Sequence, residues 1–95
     1  MKVFVSVRRE QYSDVDFKKL ILMVDGEITI SQLKRQVERE YSDLFPFDEP
    51  FICSKIEDNY GYALSNTSLA NELLTNNDRV VAVPVSRQHD GRRRR

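Results

Sequence analysis

The sequence has no tryptophan, one cysteine, three glycines and three prolines among its 95 residues. One thiol, Cys53, cannot close an internal disulfide. That excludes a disulfide-stapled secreted scaffold and points to a reducing, intracellular compartment. With three glycines the chain contains neither a G-x-x-x-x-G-K nor a G-x-G-x-x-G pattern, so nucleotide chemistry has no support. One histidine, His89, cannot supply the three or four ligands of a metal site, and no cofactor is implied. No apolar run approaches the ~18 residues of a membrane span. The opening residues alternate like a strand and show no signal-peptide anatomy.

The chain also lacks net charge, but the formal value of zero hides two unequal parts. Residues 1–85 carry 10 basic and 14 acidic side chains, and residues 86–95 carry five arginines and one aspartate. A mildly acidic body is cancelled by a basic tail. The body is therefore not a strongly basic nucleic-acid-binding domain. Apolar residues make up 40% and charged residues 32%, a composition that fits one soluble domain with a core of modest size.

Within the body, Val3, Val5 and Val7 alternate with Lys2, Phe4 and Ser6, which predicts a first strand. A polar stretch, Arg8 to Asp16, suits a hairpin loop. Phe17 to Val24 reads as a second strand that ends at the turn pair Asp25-Gly26. Thr29 and Gln32 then form a T-x-x-Q capping box, flanked by Ile28 and Leu33 as a hydrophobic staple. Ile30, Leu33, Val37, Tyr41 and Leu44 recur at three- and four-residue spacing, one apolar stripe on a helix. Lys34, Arg35, Glu38, Arg39 and Glu40 are expected on its solvated side. Pro46 and Pro50 end the helix. Phe51 to Glu57 reads as a third strand, Asp58 to Gly61 as a turn, and Tyr62 to Leu64 as a short further strand. Leu69, Leu73 and Leu74 suit one or two helical turns capped by Thr67 or Ser68. Val80 to Val85 is the closing strand. Residues 86–95 are expected to be a disordered basic tail or the start of a linker.

This order predicts an α+β fold: a ubiquitin-like β-grasp with a mixed sheet in ββαββ order, packed on one main helix, with a short extra helix before the last strand. Met1 to Val5 resembles the opening strand of ubiquitin, and Leu22 to Val37 has the apolar spacing and threonine cap of its second strand and helix. Conjugation, ubiquitin's own activity, is disfavoured, because the chain carries Asp90-Gly91-Arg92 where a modifier has a terminal diglycine.

A narrower resemblance is to the ubiquitin-like N-terminal domain of fungal nucleolar anchor proteins that hold the mitotic-exit phosphatase. It rests on Thr29, Leu33, Val37, Phe45-Pro46, Ile56 to Gly61, Leu64, Leu69 and Asn76 to Val80. After Leu64 the chain departs from that pattern with Ser65, Asn66 and Thr67. The N-terminal self-association domain of the partitioning-defective polarity scaffold is similar at Met1-Lys2-Val3, at Asp25-Gly26, through the helix to Tyr41, and at Asp78 to Val83. Coilin's N-terminal domain is a looser relative. These resemblances imply a non-catalytic module for protein–protein interaction or self-association at the N-terminus of a larger scaffold, in the nucleus rather than the cytoplasm.

Two sets of residues are candidates for such contacts. If strand faces follow the ubiquitin pattern, Val3, Val5, Val7, Leu20, Leu22, Val24, Ile52, Ile56, Val80 and Ala82 face the helix. The opposite face then carries Phe4, Ile21, Met23, Phe51, Cys53, Val81, Val83 and Val85. A half-buried sheet has a polar outer side, so an apolar one marks a partner-binding surface or an edge for strand addition. Partner contact is accordingly expected at Phe4, Phe51, Cys53, Val81, Val83 and Val85. A one-residue phase error in any strand would instead bury several of these, and Cys53 also reads as a small apolar filler. The second set is charged: Lys2, Arg8 and Arg9 against Glu57, Asp58 and Glu72, for head-to-tail homo-oligomers of the polarity type. Asp48-Glu49 and Glu57-Asp58 flank turns and read as solvated, so no catalytic pair emerges and no enzymatic activity is expected. Arg92, Arg93, Arg94 and Arg95 suit nuclear import or contact with nucleic acid, in which case binding falls steeply with salt.

Overall fold

In a computed structural model, residues 1–8 and 18–85 are described. Strands β1 (Lys2–Val7) and β2 (Lys18–Met23) form an antiparallel hairpin, helix α1 (Ile30–Leu44) follows, and β3 (Cys53–Asp58), the short helix α2 (Ala70–Leu73) and β4 (Asp78–Pro84) complete the order. The sheet runs β2-β1-β4-β3. β1 pairs parallel with β4 at its centre, and both outer pairs are antiparallel. This mixed sheet grasping one helix is a ubiquitin-like β-grasp, as the element order predicts.

α1 starts where the capping box places it. The Thr29 hydroxyl accepts from the Gln32 N–H at 3.1 Å, and the Gln32 side chain accepts from the Thr29 N–H at 2.9 Å. These bonds satisfy donors that the first helical turn leaves without partners. Ile30, Leu33, Val37 and Tyr41 are buried against Val3, Val5, Val7, Leu20, Leu22, Ile56, Val80 and Ala82 from the sheet. Burying a side chain of this kind contributes about 1.5–3 kcal/mol. At the C-terminus Leu44 is exposed. Phe45 takes its place on the core, its ring 5.0 Å from that of Tyr41. The helix ends there, one residue before Pro46, so the stripe stops a residue later and on a different side chain than its spacing implies.

Three further expectations are corrected. Lys34 is not solvated: only 8% exposed, it donates from Nζ to the Ser54 carbonyl at 3.1 Å. Its long stem lies along the apolar stripe while its head reaches β3. The phase of β3 also changes along its length. Cys53 pairs with Pro84 and Lys55 with Val83, so two steps on β3 match one on β4, and Ser54 is the extra residue of a bulge. Phe51 and Cys53 therefore lie in the core, at 2% and 3% exposure, while Ile52 is 54% exposed. Tyr62 to Leu64 makes a bridge, Glu57 with Ala63, instead of a strand. In the preceding turn Gly61 has φ +90°, a conformation that suits glycine.

Candidate functional site: the outer face of the sheet

The sheet face opposite α1 takes the even-numbered residues of β1 and the odd-numbered residues of β2 and β4. In register, Met23 lies beside Lys2, Ile21 beside Phe4, and Phe4 beside Arg79. Ser6 sits between Lys19 and Val81, Val81 beside Glu57, and Val83 beside Lys55. The Val85 N–H donates to the Ile52 carbonyl at 3.0 Å, which carries the face past the end of β4. Ile21 and Met23 are exposed, at 64% and 68%, and Val85 and Ile52 are also exposed. Phe4, Val81 and Val83 are half-buried. An apolar band thus runs over β2, β1 and β4 and reaches Ile52, just ahead of β3, on the side that solvent reaches.

The expected partner-binding residues divide accordingly. Phe4, Val81, Val83 and Val85 lie on this face. Phe51 and Cys53 do not: the Ser54 bulge turns them inward, where the Phe51 ring stands 5.5 Å from that of Tyr41. The Cys53 thiol is held well above its ordinary value of 9.0, at about 11, chiefly because burial penalises the thiolate. A thiol of this kind is a packing group at neutral pH, not a nucleophile. Ile52, expected in the core, joins the face instead. The signal for the switch is the adjacent polar pair Ser54-Lys55 between two buried apolar residues, which strict alternation cannot accommodate.

The face is also charged in one sense. Lys2, Arg8, Lys19, Lys55 and Arg79 share it with a single acid, Glu57. The remaining described residues hold four basic and ten acidic side chains, so positive charge is concentrated on the sheet side of an acidic body. Glu57 is engaged by both neighbours, at 3.8 Å from the Arg8 guanidinium and 3.2 Å from Lys55 Nζ. The Arg79 guanidinium lies over the Phe4 ring, 5.5 Å from its centroid, a cation–π arrangement that leaves its donors available. Lys19, Lys55 and Arg79 were legible as members of this face, since each falls at the parity of Phe4's partners.

The charged set expected for head-to-tail assembly does not converge. Lys2 and Arg8 lie at opposite ends of β1, about 20 Å apart at ~3.3 Å per residue. Glu57 sits on the same face as Arg8 and pairs with it. Asp58 accepts from the N–H groups of Tyr60 and Tyr62, both at 2.9 Å, and so holds its own turn. The Glu72 carboxylate accepts from the Leu69 N–H at 2.9 Å at the start of α2. Arg9 and Arg92 to Arg95 lie outside the described residues. Among the described residues, no group of three or more His, Cys, Asp or Glu side chains could hold a metal ion. No helix among them is long and apolar enough to cross a membrane.

Comparison with known proteins adds three findings. The model of a family described as the Cdc14 phosphatase binding protein N-terminus matches residues 17–86. Comparison with curated proteins yields no match. Among solved structures, the fold is similar to a chain of an assembly described as the MycP5-free ESX-5 inner membrane complex, State II, with a TM-score of 0.57 and 15% identity. That likeness covers 90% of this chain and 21% of the other, so this chain spans about a fifth of its length. At such identity the likeness concerns the fold alone.

Proposed function

The chain belongs to the Cdc14 phosphatase binding protein N-terminal family, and we propose that it is a non-catalytic binding module of a larger scaffold, using the outer face of its sheet to hold that phosphatase. The observation that carries this reading is the band Phe4, Val81 and Val83, crossing the two central strands between basic side chains. A sheet side that faces water is ordinarily polar, so an apolar band there is the kind of surface a partner covers. Covered by a partner, the same residues become anchors worth ~1–2 kcal/mol each. The surrounding cations favour an acidic partner surface and speed encounter with it. In this reading residues 1–85 form the module, and anchoring of the phosphatase takes place in the nucleus.

The test is direct binding between the purified chain and purified Cdc14 phosphatase. Phe4→Asn, Val81→Thr and Val83→Thr, combined, leave the core unchanged and should weaken binding at least tenfold. A folded triple variant that binds as tightly as the parent removes the outer face from consideration.

A further inference from the structure

The two edges of the sheet are treated differently. On β3, the Ile56 carbonyl accepts from the Leu64 N–H at 2.8 Å and the Asp58 N–H donates to Tyr62 at 2.9 Å. Lys34 covers the Ser54 carbonyl and Glu38 covers the Cys53 N–H. That edge is closed by the chain itself. On β2 the hydrogen-bonding phase is fixed by Met1 and Val24, which exchange two backbone bonds of 2.7 Å each. Antiparallel pairs alternate between bonded and non-bonded. Leu20 and Leu22 therefore bond to β1, while Lys19, Ile21 and Met23 aim their N–H and C=O groups outward. Among the described residues only the Met23 carbonyl finds a partner there, Gln36 Nε2 at 3.0 Å. Ile21 and Met23 stand exposed beside this open edge. Lys19 makes no ion pair among the described residues, whereas Lys18 is engaged by Asp48 at 3.7 Å.

We propose that β2 accepts an extended, acidic segment of a protein partner as a fifth strand of the sheet. The free groups of Lys19 and Ile21 supply main-chain hydrogen bonds, and apolar residues at every second position of the added segment cover Ile21 and Met23. Acidic residues beside them meet Lys19 and Lys2. A second copy of this chain fits the edge less well, because it joins two faces that each carry five cations and one acid. The inference rests on the partner-binding reading above and specifies how one part of a partner is held.

The probe is a synthetic twelve-residue peptide with an alternating Val/Ile run and Asp-Glu flanks, added to the isotope-labelled 95-residue chain. Amide hydrogen exchange of Lys19 and Ile21 should slow at least tenfold on binding. A Lys-flanked peptide, and one with a central proline, should not slow it. Ile21→Pro removes an N–H that has no partner among the described residues, so proline is compatible with this edge position; peptide binding should drop at least tenfold. Should that variant unfold, Lys19→Glu decides instead, by losing the acidic peptide and gaining the Lys-flanked one. Binding that leaves both amides unchanged, no binding by any peptide, or amides that slow with protein concentration alone each overturn the proposal, the last in favour of a second copy. Phosphatase binding kept by Ile21→Pro but lost by the Phe4, Val81 and Val83 variant overturns strand addition and spares outer-face capture. Peptide protection in a chain that does not bind the phosphatase overturns only the capture.

Discussion

The Glu38 carboxylate accepts the backbone N–H of Cys53 at 2.8 Å, tying the middle of α1 to the first residue of β3. The bond sits just ahead of the Ser54 bulge, where the β3–β4 ladder is interrupted. Lys34, one turn earlier on α1, does the same for the next carbonyl along β3. Two side chains that look solvated in sequence thus fasten the helix to the strand.

Removing this acceptor leaves a part-buried N–H unpaired, which costs about 1–3 kcal/mol. Glu38→Ala should lower the urea midpoint by a corresponding amount. Glu38→Gln, which keeps an acceptor oxygen, should recover most of the loss. The Arg35 guanidinium is 3.4 Å from Glu38 but largely exposed, so Arg35→Ala should change the midpoint little. Equal losses from Glu38→Ala and Arg35→Ala would show that the ion pair, not the N–H, matters.

Cys53 gives the fold a dependence on high pH. Its thiol is pushed from 9.0 up to about 11 by burial. The unfolded chain therefore releases the thiol proton first, and between these values the folded state binds more protons. Stability from this group is complete below pH 9 and falls as pH rises from 9 toward 11. Cys53→Ala should flatten that part of the stability–pH curve, read by denaturant titration at pH 8 and pH 10. It should also cost stability at pH 8 by loss of packing. Iodoacetamide should label the native thiol far more slowly than the unfolded one at pH 8.

Much of this architecture is readable from spacing alone. Thr29 and Gln32, the valines of β1 and the turn at Asp58 to Gly61 announce themselves because local chemistry determines them. Lys34 is different. Its neighbours in sequence are those of a solvated face, and only the proximity of the Ser54 carbonyl, supplied by tertiary packing, makes burial of its stem worthwhile. Leu44 fails for the converse reason: it keeps the helical spacing, but the chain turns at Phe45 and leaves nothing for it to pack on. On the candidate site, Phe4, Val81, Val83 and Val85 follow from alternation. Phe51, Cys53 and Ile52 do not, because one extra residue at Ser54 exchanges the two faces.

The helix cap is the simplest of these local features to test. Thr29→Ala removes an acceptor from the Gln32 N–H while leaving every core residue in place. A loss of about 1 kcal/mol is expected, with native-state exchange quickening first in the opening turn of α1. Thr29→Ser keeps the hydroxyl and should stay close to the parent. If both variants lose equally, the methyl group rather than the cap sets the stability at this position.

The bulge makes a sharper prediction, because the two phases of β3 assign opposite roles to residues of the same chemistry. Ile52 and Ile56 are four residues apart and would share a face in an unbroken strand. Here Ile56 is fully buried, and Ile52 lies on the outer side beside Val85. Ile56→Ala should cost about 2–5 kcal/mol, the range for opening a cavity in a core, while Ile52→Thr should be nearly neutral for the fold. Phe51→Ala should match the large loss, since its ring fills the space against Tyr41. Phosphatase binding should respond in the reverse order: weakened by Ile52→Thr and retained by any Phe51 or Ile56 variant that stays folded. Denaturation and binding measured on the same three proteins separate the two phases. Large destabilisation by Ile52→Thr with a silent Phe51→Ala would mean an unbroken strand with no bulge at Ser54.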